Sequence, residues 1–406
     1  MRASACATVR HETSRAHISI VSGSLVRARY RNDSLRVDRH PFTRCWEARR
    51  MSEAAGSPTG VAFTDGARGI RPWLGGVALG TAGFAAATEY VASEHFRILE
   101  PVVTLTPVIL ASILATLAIG LHVVFFTTVP HRIAQLRDPT VWGLLAAAPG
   151  TFVVAGIAVA TRVGPEQAAT VAVTVGLAAV LCAAVIAAAM IAAIFTSPRT
   201  SVPKITGACF IPGTVLMLAP ILASRESAKM LDVHQSLLVE LPVGCFFLGF
   251  LVFIVIASLF VANLIRHGVP PERARPGLVI LTSPLSVAGV AIVSITAIDS
   301  DPLGDGQYVV AHAASVVLLG LASCWFLGCY LPIVRVVVHP AKYTPLWWSF
   351  VFPLAAFATA WLVAGRNSGV VVVTVVGLLV WVALLGVWIW VSSVALLVQG
   401  HVTRAE

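Results

Sequence analysis

Residues 346–361 read LWWSFVFPLAAFATAW, and the reading of that stretch decides the fold. It carries no charged side chain and is apolar enough to sit in a bilayer. Pro353 stands in its middle, where a proline removes a backbone hydrogen bond and crowds the preceding turn. In lipid, the carbonyl so freed must find another partner or face a cavity. The stretch therefore predicts a helix that lines something, with Phe352 at the break.

Outward from it, the chain is of one kind. Of its 406 residues, 57% are hydrophobic and 12% charged, about half the charge of a soluble domain. Apolar runs recur from about residue 73 to residue 399, which predicts an all-α polytopic membrane protein. Ten spans are expected, at 73–92, 102–128, 140–161, 168–196, 205–224, 236–266, 277–298, 309–338, 346–365 and 370–399. The predicted transport domain is 71–400, with cytoplasmic tails at 1–70 and 401–406.

The net charge of +9 is local. Residues 1–50 hold 11 Arg against Glu12, Asp33, Asp38 and Glu47, and no apolar run of a secretory signal. The membrane part is nearly balanced, so no nucleic-acid partner is expected. Met51 opens MSEAAGSPTG and reads as an alternative start, with 1–50 an upstream artefact or a disordered tail. Seven Cys are scattered, with no CxxC pair and no Cys/His cluster, so neither a disulfide framework nor a metal site is implied.

The breaks repeat. Odd spans carry a glycine or proline near mid-membrane: Gly75, Gly76, Gly80 and Gly83, then Pro149-Gly150, Pro212-Gly213, Pro284 and Pro353. Even spans are longer and largely unbroken, Pro242 being the exception. The alternation predicts five helical hairpins in a quasi-fivefold ring, with kinked odd helices inside around a central pore and straight even helices outside. Short loops after even spans carry nine Lys or Arg and those after odd spans five, which places both termini in the cytoplasm of a cell-membrane protein.

Intramembrane ionisable groups are few: Glu89, His122, Glu240 and His312. Each reads first as interfacial. Glu89, on an inner span, is the candidate proton site. A cation pore usually shows acidic rings. Here the inner spans offer Thr81, Thr151, Thr214, Ser286 and Thr359 as candidate pore hydroxyls, together with helix ends whose free N–H groups suit anions. Small inorganic or carboxylate anions are therefore the expected partners, beside the lipid bilayer. No HExxH, GxSxG or phosphate loop is present, so the chain is expected to be neither an enzyme nor cofactor-dependent. A non-transporting membrane subunit or sensor is the reading from another class. Phe352 beside the break is a candidate hydrophobic gate, with Phe350 and Phe357 as competitors, because 100° per residue decides which ring points inward. Trp347 and Trp348 read as interfacial anchors.

Three stretches carry a family resemblance: WWSFVFPLAAFATAW at 347–361, LIRHGVPPERARPGLVILTSPLSVAG at 264–289 and PKITGACFIPGTVLMLAP at 203–220. In order and spacing over about 70–400, the chain resembles the tellurite-resistance/dicarboxylate transporter family. That family includes tellurite-resistance permeases, malate permeases, sulfite efflux pumps and slow-type anion channels. The resemblance implies five hairpins around a pore, a homotrimer, and an occluding ring on the ninth helix, which falls on Phe352. It implies passage of an anion such as malate, sulfite, nitrate or chloride, by a channel or a proton-coupled C4-dicarboxylate or sulfite carrier. Cys209-Phe210 and Thr282-Ser283-Pro284 depart from the family's pattern on the expected pore face, so the substrate does not carry over.

Overall fold

The computed structural model describes residues 73–95, 100–128, 136–160, 166–196, 205–224, 235–270, 272–298, 304–338 and 345–402. The tail 1–70, the expected start at Met51 and most of the counted loop cations lie outside these residues. Every regular element among them is helical. They form ten spans, of which nine are long and apolar enough to cross a membrane by length and composition. The remaining one, span 1, is a single helix, Trp73–His95.

Each odd span packs against the even span that follows it, giving five hairpins. Spans 1, 3, 5, 7 and 9 also pack against one another in a cyclic order, 1 on 3, 3 on 5, 5 on 7, 7 on 9 and 9 on 1. Every even span rests on its own partner and on the next odd span, span 10 closing onto span 1. Burial follows the same alternation. Between 67% and 83% of the residues in spans 3, 5, 7 and 9 are buried, against 11% to 39% in the even spans. Span 1 is buried at Ala78, Ala82, Ala85, Ala87 and Val91.

Proline does not make this division. Pro107 stands inside span 2 (Glu100–Thr128) as Pro242 does inside span 6 (Gln235–His267), both in continuous helices on the outside. Small residues mark the contacts between inner spans. A methyl on Gly143 of span 3 would collide with the Ala208 carbonyl of span 5. One on Gly207 would lie 2.5 Å from the Gly277 oxygen of span 7. Such backbone-to-backbone approach is how helices associate where lipid removes the hydrophobic drive between them. The turn from span 9 to span 10 is set by Gly369, whose φ of 66° is left-handed and whose N–H bonds the Gly365 carbonyl at 2.9 Å.

Candidate permeation pathway

Spans 3, 5, 7 and 9 share one construction. Each begins with a short segment and continues as an α-helix with a proline at its second or third residue. Span 3 is Pro139–Leu145, a turn at Ala146, then Ala147–Ala160 with Pro149 third. Span 5 is a 3-10 turn, Gly207–Phe210, then Ile211–Met217 with Pro212 second. Span 7 is a 3-10 stretch, Glu272–Leu281, then Thr282–Ile298 with Pro284 third. Span 9 is a 3-10 stretch, Pro345–Phe350, then Val351–Ser368 with Pro353 third. A first-turn position tolerates proline because its N–H would have no partner there, and the fixed φ suits a helix start. In spans 5, 7 and 9 the proline therefore stands at the start of an α-helix that follows a 3-10 segment, where a kink in a running α-helix was expected. In span 3 the bonds from Ala146 N–H to the Trp142 carbonyl and from Gly150 N–H to the Ala146 carbonyl run through the break, as in a helix kinked at Pro149. Span 5 has a second interruption at Leu218, two residues before Pro220. The four opening segments and span 1 pack in the same cyclic order as the spans themselves.

Span 1 has no break, which corrects the expected glycine kink. Gly80 and Gly83 instead receive span 9. A methyl on Gly80 would lie 3.1 Å from Val351 Cβ, and one on Gly83 would lie 3.0 Å from Phe352 Cδ2. Gly150 faces Val215 and Leu79, so spans 1, 3 and 5 meet there. Gly213 turns outward onto the Gly249 carbonyl of span 6, away from its inner neighbours.

The three candidate rings separate. Phe350 stacks on Trp347 at 5.5 Å, and Trp347 meets Trp390 of span 10 edge-on at 4.9 Å. Phe357 faces Phe326 of span 8 at 5.3 Å and Trp361 at 6.2 Å. Phe352 is buried, lies over Gly83, and has no aromatic partner among the described residues. Trp347 and Trp348 are buried too, which corrects their reading as interfacial anchors. Trp347 is held in the aromatic cluster, and Trp348 lies against Gly80.

Among the hydroxyls, three are engaged. Thr151 donates to the Ala147 carbonyl at 2.9 Å and Thr214 to the Phe210 carbonyl at 2.8 Å. Thr81 accepts from Trp388 Nε1 at 3.5 Å. Ser286 is buried and its oxygen has no hydrogen-bond partner among the described residues. Thr359 is half-buried. Glu89 is buried at 4% exposure, within the bundle rather than at its edge. Glu240 is exposed, and His312 is half-buried beside Tyr308 at 6.2 Å. The side chain of His122 lies outside the described ones.

Sequence reading missed the tryptophans that fasten outer spans to inner ones. Trp388 and Trp381 of span 10 donate to Thr81 and Thr88 of span 1, the latter at 3.1 Å. Trp388 also stacks on Phe84 at 4.8 Å. Trp325 of span 8 donates to the Leu278 carbonyl in the 3-10 stretch of span 7, at 2.9 Å. The signal was present, since both members of the first pairing repeat at seven residues, two helical turns on one face.

Ten helical spans in hairpins, nine of them apolar enough to cross a bilayer, define a multi-pass membrane protein. The SLAC1 family, voltage-dependent anion channel, matches residues 71–396, and the chain belongs to that family. The match agrees with the resemblance to tellurite-resistance/dicarboxylate transporters and covers spans 1 to 9 and most of span 10. Membership makes anion transport across a membrane the general activity. No curated protein matches the chain.

Proposed function

We propose that this protein passes small anions through a central path between spans 1, 3, 5, 7 and 9, arranged as a quasi-fivefold ring. The permeant sheds part of its hydration among helix starts and hydroxyls, and Phe352 is the gate. The candidate substrates are sulfite, nitrate, chloride and dicarboxylates such as malate. The homotrimer, the cell membrane and the cytoplasmic termini belong to the same reading. The observation that carries it is the burial alternation joined to the cyclic packing of the odd spans, which gives these five spans a common interior. Phe352 is favoured over Phe350 and Phe357 because those two rings are committed to aromatic clusters involving outer spans.

The test is Phe352→Ala in liposomes, measured across chloride, nitrate, sulfite and malate. Flux rises at least about tenfold if the ring occludes the path. Unchanged flux removes the gate assignment, and the ranking of the four anions sets the substrate.

Burial of Glu89 on an inner span supports a second reading, a proton-coupled carrier. Collapsing the proton gradient separates the two. A channel keeps its flux, whereas a coupled carrier loses uphill uptake and loses it again in Glu89→Gln.

A further inference from the structure

We propose that Thr282, Ser283 and Ser286 form an anion-coordinating subsite at the start of the α-helical part of span 7. The proposal rests on the anion-transport reading and names where on the path an anion is held. All three side chains are buried, at 0%, 1% and 0% exposure. None of their hydroxyl oxygens has a hydrogen-bond partner among the described residues. That sets the start of this helix apart from Thr88, Thr151 and Thr214 on spans 1, 3 and 5, and from Ser294 further along span 7, each of which donates to the carbonyl four residues back. A serine or threonine inside a helix ordinarily does this.

The local chain explains part of the difference. For Thr282, the carbonyl four residues back is that of Leu278. It already accepts from Trp325 Nε1 at 2.9 Å and from Cys329 Sγ at 3.8 Å, both on span 8. The stretch before Thr282 is 3-10, so its carbonyls pair three residues on and are badly placed for a side chain four residues on.

The geometry gathers the three groups. At 100° per residue, Ser283 lies 100° round the helix from Thr282, and Ser286, one turn on, falls between them. All three sit in the first turn or so of a 17-residue helix, where backbone dipoles give a partial positive charge. A hydroxyl can donate or accept, and this setting selects donation. The group that completes three donors at a positive helix end is a small anion that accepts several hydrogen bonds. The donors are neutral, so they compensate lost hydration without trapping the ion, as a conducting path requires.

The experiment uses the full chain in detergent and in liposomes, with sodium gluconate as the bulky-anion reference and sodium chloride and sodium nitrate as probes. Thermal unfolding of the wild type should shift upward in chloride or nitrate. The triple variant Thr282→Val, Ser283→Ala, Ser286→Ala should be at least as stable in gluconate, because a buried hydroxyl without a partner is a cost. It should lose the anion-dependent shift and pass chloride and nitrate about tenfold more slowly or worse. A triple variant that keeps both the shift and a flux within twofold overturns the subsite. If the triple variant does not fold, Ser286→Ala against Ser286→Thr decides. Loss in Ala with retention in Thr supports the subsite, and equal behaviour overturns it. A wild type that passes no anion, even as Phe352→Ala, removes the transport reading, while the thermal shift still reports on the subsite alone.

Discussion

Spans 5 and 10 are both apolar, yet 83% of one is buried and 11% of the other. In water such a contrast would follow from hydrophobicity. In a bilayer it cannot, because lipid tails are as apolar as leucine. Composition in a different sense decides it. Span 5 presents Gly207 and Gly213 where backbones approach closely, and Cys209, Thr214 and Ala219 are buried in the same span. Span 10 presents Val371, Val372, Leu379, Val382 and Ile389, large side chains exposed among the described residues. Span 5 is held inside by small residues at the places where other backbones reach it.

The largest test of that comparison is steric. Gly143→Leu should abolish monodisperse protein on size exclusion, because its Cβ already collides with the Ala208 carbonyl; a loss above about 4 kcal/mol is expected. Gly120→Leu on span 2, with nothing within 4 Å, should stay within about 0.5 kcal/mol in thermal unfolding. Equal behaviour of the two would break the distinction between inner and outer spans. Next in size, Phe357→Ala should cost about 3–5 kcal/mol of stability, since its ring fills the contact between spans 9 and 8. Anion flux per folded molecule should not rise; a rise would move the gate from Phe352 to Phe357.

How much was legible depended on what the bilayer enforces. Span number and hairpin alternation were readable because a crossing helix needs about 20 apolar residues whatever it packs against. The breaks were seen but misread at particular residues. Pro353 in a running helix and Pro353 third in a new one are the same letter, and only the 3-10 geometry of Pro345–Phe350 tells them apart. Gly80 and Gly83 looked like a kink, but they are clearance for Val351 and Phe352, which are about 270 residues away in the chain. Trp347 and Trp348 looked interfacial because tryptophan usually is, and tertiary packing overrode the tendency. Ser286 was named among five equivalent hydroxyls. Nothing in the sequence says that the hydroxyls of Thr81, Thr151 and Thr214 are engaged and that of Ser286 is not.

Smaller effects sharpen the same contrast. Trp388→Phe should keep the stack on Phe84, lose the bond to Thr81, and cost about 0.6 kcal/mol, with Thr81→Val adding little on top. Full additivity in that double-mutant cycle would remove the fastening between spans 10 and 1. Smallest of all, Glu240→Gln on the exposed start of span 6 should leave both melting temperature and flux unchanged.

The two bonds from span 10 to span 1 join residues 307 and 293 positions apart. At a synthesis rate of about 5–20 residues per second, the first span waits roughly 15–60 s for its last neighbour. Until then Thr81 and Thr88 sit in a helix whose bonds to span 10 do not yet exist. Biogenesis of this protein therefore has a vulnerable interval that the finished bundle conceals.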